Sequence, residues 1–157
     1  MPSRPESLHA IYQNGQLNQY QQAIHSVGEI LLNYDYDKKI PVFGFGAKTR
    51  LPNLYSQVAL HCFPCNGNPA DPEVFGLEGL EMVYKSVLPQ LEFAGPTLFQ
   101  PIIEETKKIA DFCKSQGSQV YNILLILTGR ELFIYMLLIY IVLVLYLNLL
   151  FLYIYIH

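Results

Sequence analysis

No charged side chain follows Glu131: the 10 Lys and Arg and the 13 Asp and Glu all lie at or before it. That absence divides the 157 residues into a mildly acidic front and an apolar back. Basic residues form no stripe, and a formal net charge of −3 offers nothing to displace the counterions of a phosphate backbone, which excludes nucleic acid as a partner. Cysteine is scarce as well. Cys62, Cys65 and Cys113 leave an odd one in any disulfide scheme, and the opening Met1-Pro2-Ser3-Arg4 lacks the apolar core of a signal peptide. Both point to a reducing, cytosolic setting.

What is present before Glu131 alternates between helical and strand periods, the pattern of an α/β segment. Residues 1–15, with Pro2, Pro5, Asn14 and Gly15, read as an N-terminal loop. Leu17, Tyr20, Ile24, Val27, Leu31 and Tyr34 recur at spacings of three and four and predict one face of a helix over 17–34. His25 lies beside that face, a partly buried helix histidine with no second ligand one turn away to build a metal site. Asp35-Tyr36-Asp37-Lys38-Lys39 lacks the later glycine and closing glutamate of an EF-hand loop, so it reads as a solvated connection. Residues 40–47 are apolar without a helical period, as in a strand covered on both faces. Gly44-x-Gly46 at its end has neither a third glycine nor a helix start behind it, which argues against a nucleotide-binding enzyme.

Residues 48–53 read as a polar turn and 58–63 as a shorter strand. Cys62-Phe63-Pro64-Cys65 has the spacing of a redox pair or half a zinc site, without a second pair or a helix beginning at it. After the loop 66–72, Leu77, Leu80, Val83, Tyr84, Val87 and Leu88 predict a helix over 76–88, stopped by Pro89. A third helix is expected over 99–113 with Ile102, Ile103, Ile109, Ala110 and Cys113 inward. Glu104 and Glu105 point about 100° apart on it, a solvated first turn rather than a shared acid and base. Residues 120–128 form the best buried strand before the apolar back.

The residue with the most chemical promise is Thr97, in the turn Gly95-Pro96-Thr97-Leu98-Phe99-Gln100-Pro101. The prolines limit the backbone, and Gly95 has access to positive φ. A hydroxyl held there can cap the helix that follows or ligate a hard cation through oxygen. Ligands of an open α/β sheet sit at the carboxyl ends of its strands, which places Thr128 near Thr97.

Beyond the junction 129–131, residues 132–156 hold one amide, Asn148, and no charge. As a helix this run is about 37 Å long, enough to span a hydrocarbon core of about 30 Å with tilt. Leu132, Tyr140, Leu145, Asn148, Tyr153 and Ile156 mark the expected membrane-spanning helix, with Tyr153 placed for an interface. Lys107, Lys108, Lys114 and Arg130 on its amino side favour keeping that side cytosolic, the topology of a tail anchor. The Ile, Leu, Tyr, Phe and Val composition is equally what a thymine- and adenine-rich noncoding stretch yields when translated.

Residues 7–128 resemble the copine family, specifically its von Willebrand factor A-like domain. The resemblance is carried by Ser7-Leu8-His9, by Val27-Gly28-Glu29-Ile30 with Asp35-Tyr36-Asp37, and by Pro41-Val42-Phe43-Gly44-Phe45-Gly46-Ala47. It continues through Phe63, Asn66, Asn68-Pro69, Gly76-Leu77-Glu78-Gly79-Leu80, Tyr84, Leu88-Pro89, Gly95-Pro96-Thr97, Phe99 and Pro101, and closes on Tyr121 with Ile123-Leu124-Leu125-Ile126-Leu127-Thr128.

The resemblance implies a domain over 16–128 that is part of a doubly wound, Rossmann-like sheet of order 3-2-1-4-5-6, lacking its first and last strands. The strands around Val42 and Ile123 would then carry unpaired edges, or pair with each other. It also implies a non-enzymatic, cytosolic protein. Intact copines associate with phospholipid when calcium rises, through C2 domains that have no counterpart here, and bind partner proteins at an A-domain metal site holding Mg²⁺ or Ca²⁺. Of that site's three elements only Thr97 carries over. The Asp-x-Thr/Ser-x-Ser run would precede Met1, and Gly129 stands where an aspartate is expected. No cofactor and no competent metal site are therefore expected, with an unknown protein as partner and the membrane met through the C-terminal segment. The alternative is a tail-anchored, single-pass membrane protein presenting a remnant α/β domain to the cytosol.

Overall fold

The computed structural model describes residues 7–117, 121–129 and, as backbone, 147–155. The three helices form where the apolar period is 3.6. Helix α1 spans Gln19–Leu32 and begins at Asn18, whose side chain accepts from the Gln21 N–H while the Gln21 side chain accepts from the Asn18 N–H. This reciprocal cap satisfies two donors that a helix start otherwise leaves unpaired. The expected end at Tyr34 is two residues too far, and Tyr34 is exposed. Helix α2 spans Gly76–Val87, then tightens into a 3-10 turn, Leu88–Gln90. Helix α3 spans Gln100–Ser115.

Eight strands are present among the described residues: β1 (Lys39–Phe45), β2 (Ala47–Thr49), β3 (Ser56–Leu60), β4 (Phe63–Pro64), β5 (Glu73–Phe75), β6 (Leu91–Phe93), β7 (Tyr121–Leu127) and β8 (Leu147–Tyr155). The main sheet has the order β4-β1-β8-β7, with β5 antiparallel to the start of β1. Strands β3-β2-β6 form a separate antiparallel sheet. The residues expected as a polar turn, 48–53, thus begin inside β2, and the strand expected over 58–63 divides between β3 and β4 in different sheets.

Alternation along β1 and β7 builds two cores. Ile40 and Val42 of β1, with Ile123, Leu125 and Leu127 of β7, belong to the cluster that holds Tyr20 and Ile24 of α1 and Leu80, Val83, Tyr84 and Val87 of α2. Phe43 and Phe45 of β1, with Leu124 and Ile126 of β7, meet Ile102 and Ile109 of α3 on the other face. The result is a mixed α/β fold with helices on both faces of a sheet, each strand side chain alternating between them.

The C-terminal segment departs from the sequence reading. Among the described residues no helix is long and apolar enough to cross a membrane. Leu147–Tyr155, which includes Asn148 and Tyr153 of the expected span, is a strand parallel to both β1 and β7. Leu132, Tyr140, Leu145 and Ile156 lie outside the described residues. Neither are β1 and β7 left with bare facing edges, nor do they pair directly, because β8 lies between them. Length favoured a helix for the whole apolar run, but a central parallel strand buried on both faces has the same uninterrupted apolar composition.

Candidate functional site

Phe45 ends β1, and Gly46 takes a φ of +74°, a left-handed turn that glycine makes without a Cβ penalty. The chain passes directly into β2, not into the helix start that a phosphate-cradling loop requires, and the Phe63 ring occupies the place of a Gly44 Cβ. The register sets Phe45 beside Tyr155 and Leu127 beside Ile154, so three parallel strands end level. Parallel sheets present their ligand sites on such an edge.

The Thr97 turn borders it. Ala94 donates its N–H to the Gly46 carbonyl at 2.9 Å, and the Phe99 ring lies 5.5 Å from that of Phe45. Gly95 does not take positive φ; the Gly95–Pro96 bond is cis instead. Thr97 is half-buried and is not the helix cap, since α3 starts after Phe99, which makes no side-chain capping bond. Leu98, Phe99 and, one turn on, Ile103 are exposed around it. Thr128 is exposed directly after β7. One strand, β8, separates β1 from β7, which sets their ends about 10 Å apart across the sheet.

Gly129 shows what the edge can hold. A Cβ there would stand 2.6 Å from Leu8 Cδ1 and 2.7 Å from Tyr20 Oη, so those side-chain ends would have to shift to admit it. The space is filled by the N-terminal turn, whose His9 is fully buried and stacks on Tyr20 at 4.1 Å. His9 Nδ1 lies 2.8 Å from the Tyr84 hydroxyl, and Asn18 Nδ2 donates to the Ala10 carbonyl at 3.1 Å. Burial holds the Tyr84 hydroxyl well above its ordinary pKa and therefore neutral. The sequence reading left His9 without a role. A histidine in an N-terminal loop carries no signal that it plugs a core.

A divalent ion does not fit these residues. Mg²⁺ and Ca²⁺ require several oxygen ligands, usually with carboxylates to offset dehydration. Here one hydroxyl, Thr97, stands on an edge whose expected aspartate position is a glycine, where a side chain would first have to push aside the ends of Leu8 and Tyr20. Among the described residues no group of three or more His, Cys, Asp or Glu could hold a metal.

The remaining candidates lie elsewhere. Cys62 and Cys65 are free thiols. Burial raises Cys62 to about 12, with Glu105 adding to the shift, and pushes fully buried Cys65 higher still, so neither is a ready thiolate. His25 contacts the Glu81 carboxylate, which also accepts from Lys85 at 2.7 Å, beside a shallow groove of about 270 Å³ between α1 and α2. Asp35 is buried rather than solvated, and neither of its carboxylate oxygens has a hydrogen-bond partner among the described residues.

The comparison with known proteins settles the family. A family model described as Copine matches residues 7–131, the greater part of the chain. The chain belongs to the copine family. It is 45% identical over 127 residues to Protein BONZAI 1 of Arabidopsis thaliana and 43% identical over 128 residues to Protein BONZAI 2 of the same plant. Each alignment covers 81% of this copine chain and 21% of the relative, so the chain spans about a fifth of the length of these curated relatives. The family match ends at Glu131, immediately before the apolar run.

Proposed function

We propose that this copine chain is a non-enzymatic, von Willebrand factor A-like binding module that meets a protein partner at the carboxyl-end edge of its sheet, without Mg²⁺ or Ca²⁺. The observation that carries the reading is the rim of Leu98, Phe99 and Ile103, exposed apolar side chains around half-buried Thr97 on the edge where the family resemblance locates partner binding. Apolar side chains with a polar group among them are the composition of an interface core. Gly129 supports independence from metal, because it supplies no carboxylate and a side chain placed there would have to displace the ends of Leu8 and Tyr20.

The calcium-dependent phospholipid association of the family belongs, on this reading, to parts of a longer copine that this sequence does not contain. Its setting is the cytosol, with membrane association through those parts. The test combines two measurements on the full chain. Calorimetric titration with Mg²⁺ and with Ca²⁺ is expected to give no binding heat, and sedimentation with phosphatidylserine vesicles is expected to be the same in Ca²⁺ and in chelator. Leu98→Asp with Phe99→Asp is expected to abolish partner capture while leaving the circular dichroism unchanged. A calcium-dependent rise in vesicle binding, or capture indifferent to both substitutions, overturns the proposal.

A further inference from the structure

Strands β1 and β7 run in the same direction, one strand-width apart on either side of β8. Two parallel edges facing each other across a single gap form a slot for one strand, and without an occupant each would leave a row of N–H and C=O groups unpaired beside an apolar face. The outer edge of β1 is already blunted by the short antiparallel strands β5 and β4. The outer edge of β7 has no partner strand among the described residues, so the inner gap is the one place where two edges face each other.

We infer that the gap between β1 and β7 is a strand-acceptor site, and that its occupant is this chain's own Leu147–Tyr155, acting as a sheet-completing strand rather than a membrane-spanning element.

Four observations fit that occupant. It pairs on both sides at once, Val42 through Phe45 taking Leu152 through Tyr155 on one edge, and Asn122 through Leu127 taking Leu149 through Ile154 on the other. The slot has helices over both faces, as the alternating packing of β1 and β7 shows, so an occupant must be apolar at odd and even positions alike. Leu149-Leu150-Phe151-Leu152-Tyr153-Ile154 answers that requirement. The polar residue of the segment, Asn148, falls where the register shifts: Tyr121 pairs with Leu147 and Asn122 with Leu149, leaving Asn148 as the extra, unpaired residue of a bulge. Residues 128–146 between β7 and β8 also exceed the dozen or so that a crossover between adjacent parallel strands needs.

The consequence is exclusive use of the segment. Backbone groups committed to β1 and β7 are not available to an i→i+4 helix, so a chain with a complete sheet does not present this segment as a transmembrane helix.

The experiment uses the full chain in detergent-free buffer. Val42→Cys combined with Leu152→Cys places thiols on residues in direct register, and mild oxidation with copper phenanthroline followed by peptide mass mapping reads which thiols join. The expected product is a monomer with the introduced pair linked, while Val42→Cys with Leu147→Cys, out of register, stays unlinked. A dimer linked between chains, or equal linkage of both pairs, overturns the inference. Leu152→Pro supplies the second readout. A proline removes a ladder hydrogen bond in a central strand but is tolerated in transmembrane helices. Amide exchange in residues 42–45 and in β7 is expected to accelerate about tenfold or more. Unchanged exchange there, with residues 147–155 protected only when vesicles are added, overturns it.

Discussion

The two faces of the sheet are closed very differently. Under α1 and α2 the buried cluster runs from Tyr20 through Leu88 and takes in the polar stitch of His9, Asn18 and Tyr84, so that helices, sheet and N-terminal turn are interlocked. Under α3 the cluster is Phe43, Phe45 and Ile102, with half-buried Cys62, Ile109, Leu124 and Ile126 around it. Among the described residues the first face holds the larger buried cluster, and α3 is held to the other by Ile102 in its first turn. The partner-binding edge proposed above sits at the pinned end, where Phe99 rests on Phe45. The proposed edge thus lies on the side with the smaller buried cluster among the described residues, where local opening costs less.

The sharpest way to break this contrast is to remove one large side chain from each face. Leu80→Ala, fully buried on α2, is expected to cost about 3 to 5 kcal/mol and to lower the urea midpoint for every probe. Ile102→Ala, also fully buried, is expected to cost about 2 to 3 kcal/mol, with the loss concentrated in α3. Amide exchange should then rise across Gln100–Ser115 while α1 and α2 keep their protection. Equal acceleration in all three helices would show that the faces are one cooperative unit.

The helical period made the α1 and α2 face legible from sequence, and on α3 it misplaced one residue. Ile102 and Ile103 were both expected inward, yet adjacent helix positions point about 100° apart, and Ile103 is 53% exposed. Ile102 is fully buried and Ile109, Ala110 and Cys113 are half-buried as expected, so Ile103 alone of the five points outward. The strands β1 and β7 were legible because runs of apolar residues bounded by turns have few other readings. Strands β2, β5 and β6, three residues each, are too short to carry a period, and depend on partners distant in sequence. The Leu147–Tyr155 strand was illegible for another reason: composition is the same for a lipid-facing helix and for a strand covered on both faces, and only the vacancy between β1 and β7 distinguishes them. At the candidate site, Thr97 and Gly129 could be located from sequence. The crowding that closes the edge could not, since it comes from Leu8 and Tyr20, more than a hundred residues away in the chain.

That crowding predicts the outcome of restoring the family's carboxylate. Gly129→Asp would force Leu8 and the Tyr20 hydroxyl aside, an overpacking expected to cost about 1 to 3 kcal/mol. Because the side chain enters a space lined by the well-packed face, the destabilisation should appear in α1 and leave α3 unaffected. Calorimetry should show no gain of Mg²⁺ binding. A variant that is as stable as the parent and binds Mg²⁺ would mean that the N-terminal turn yields easily and that the edge is closed by sequence alone.

The smallest effects come from two carboxylates, Asp35 in the connection after α1 and Glu81 on α2, and they differ in sign. Burial, reinforced by the negative charge of Asp37, raises the Asp35 pKa above its ordinary value. A carboxyl raised in the folded state contributes stability that is full below its unfolded pKa and lost as pH rises through the folded one. Asp35→Asn should therefore stabilise the protein at pH 7, by about 1 kcal/mol, and the gain should vanish as pH falls below the ordinary Asp range. Glu81 is the reverse: the hydrogen bond from Lys85 lowers its pKa against the opposing effect of burial, with His25 adding to the lowering. Its contribution is present above the unfolded value and lost as pH falls through the folded one. Glu81→Gln should cost a few tenths of a kcal/mol at pH 7 and nothing in acid. Urea midpoints for both variants at pH 7 and pH 3.5 separate the two. If Asp35→Asn destabilises at pH 7, its carboxylate is satisfied by a partner in solution.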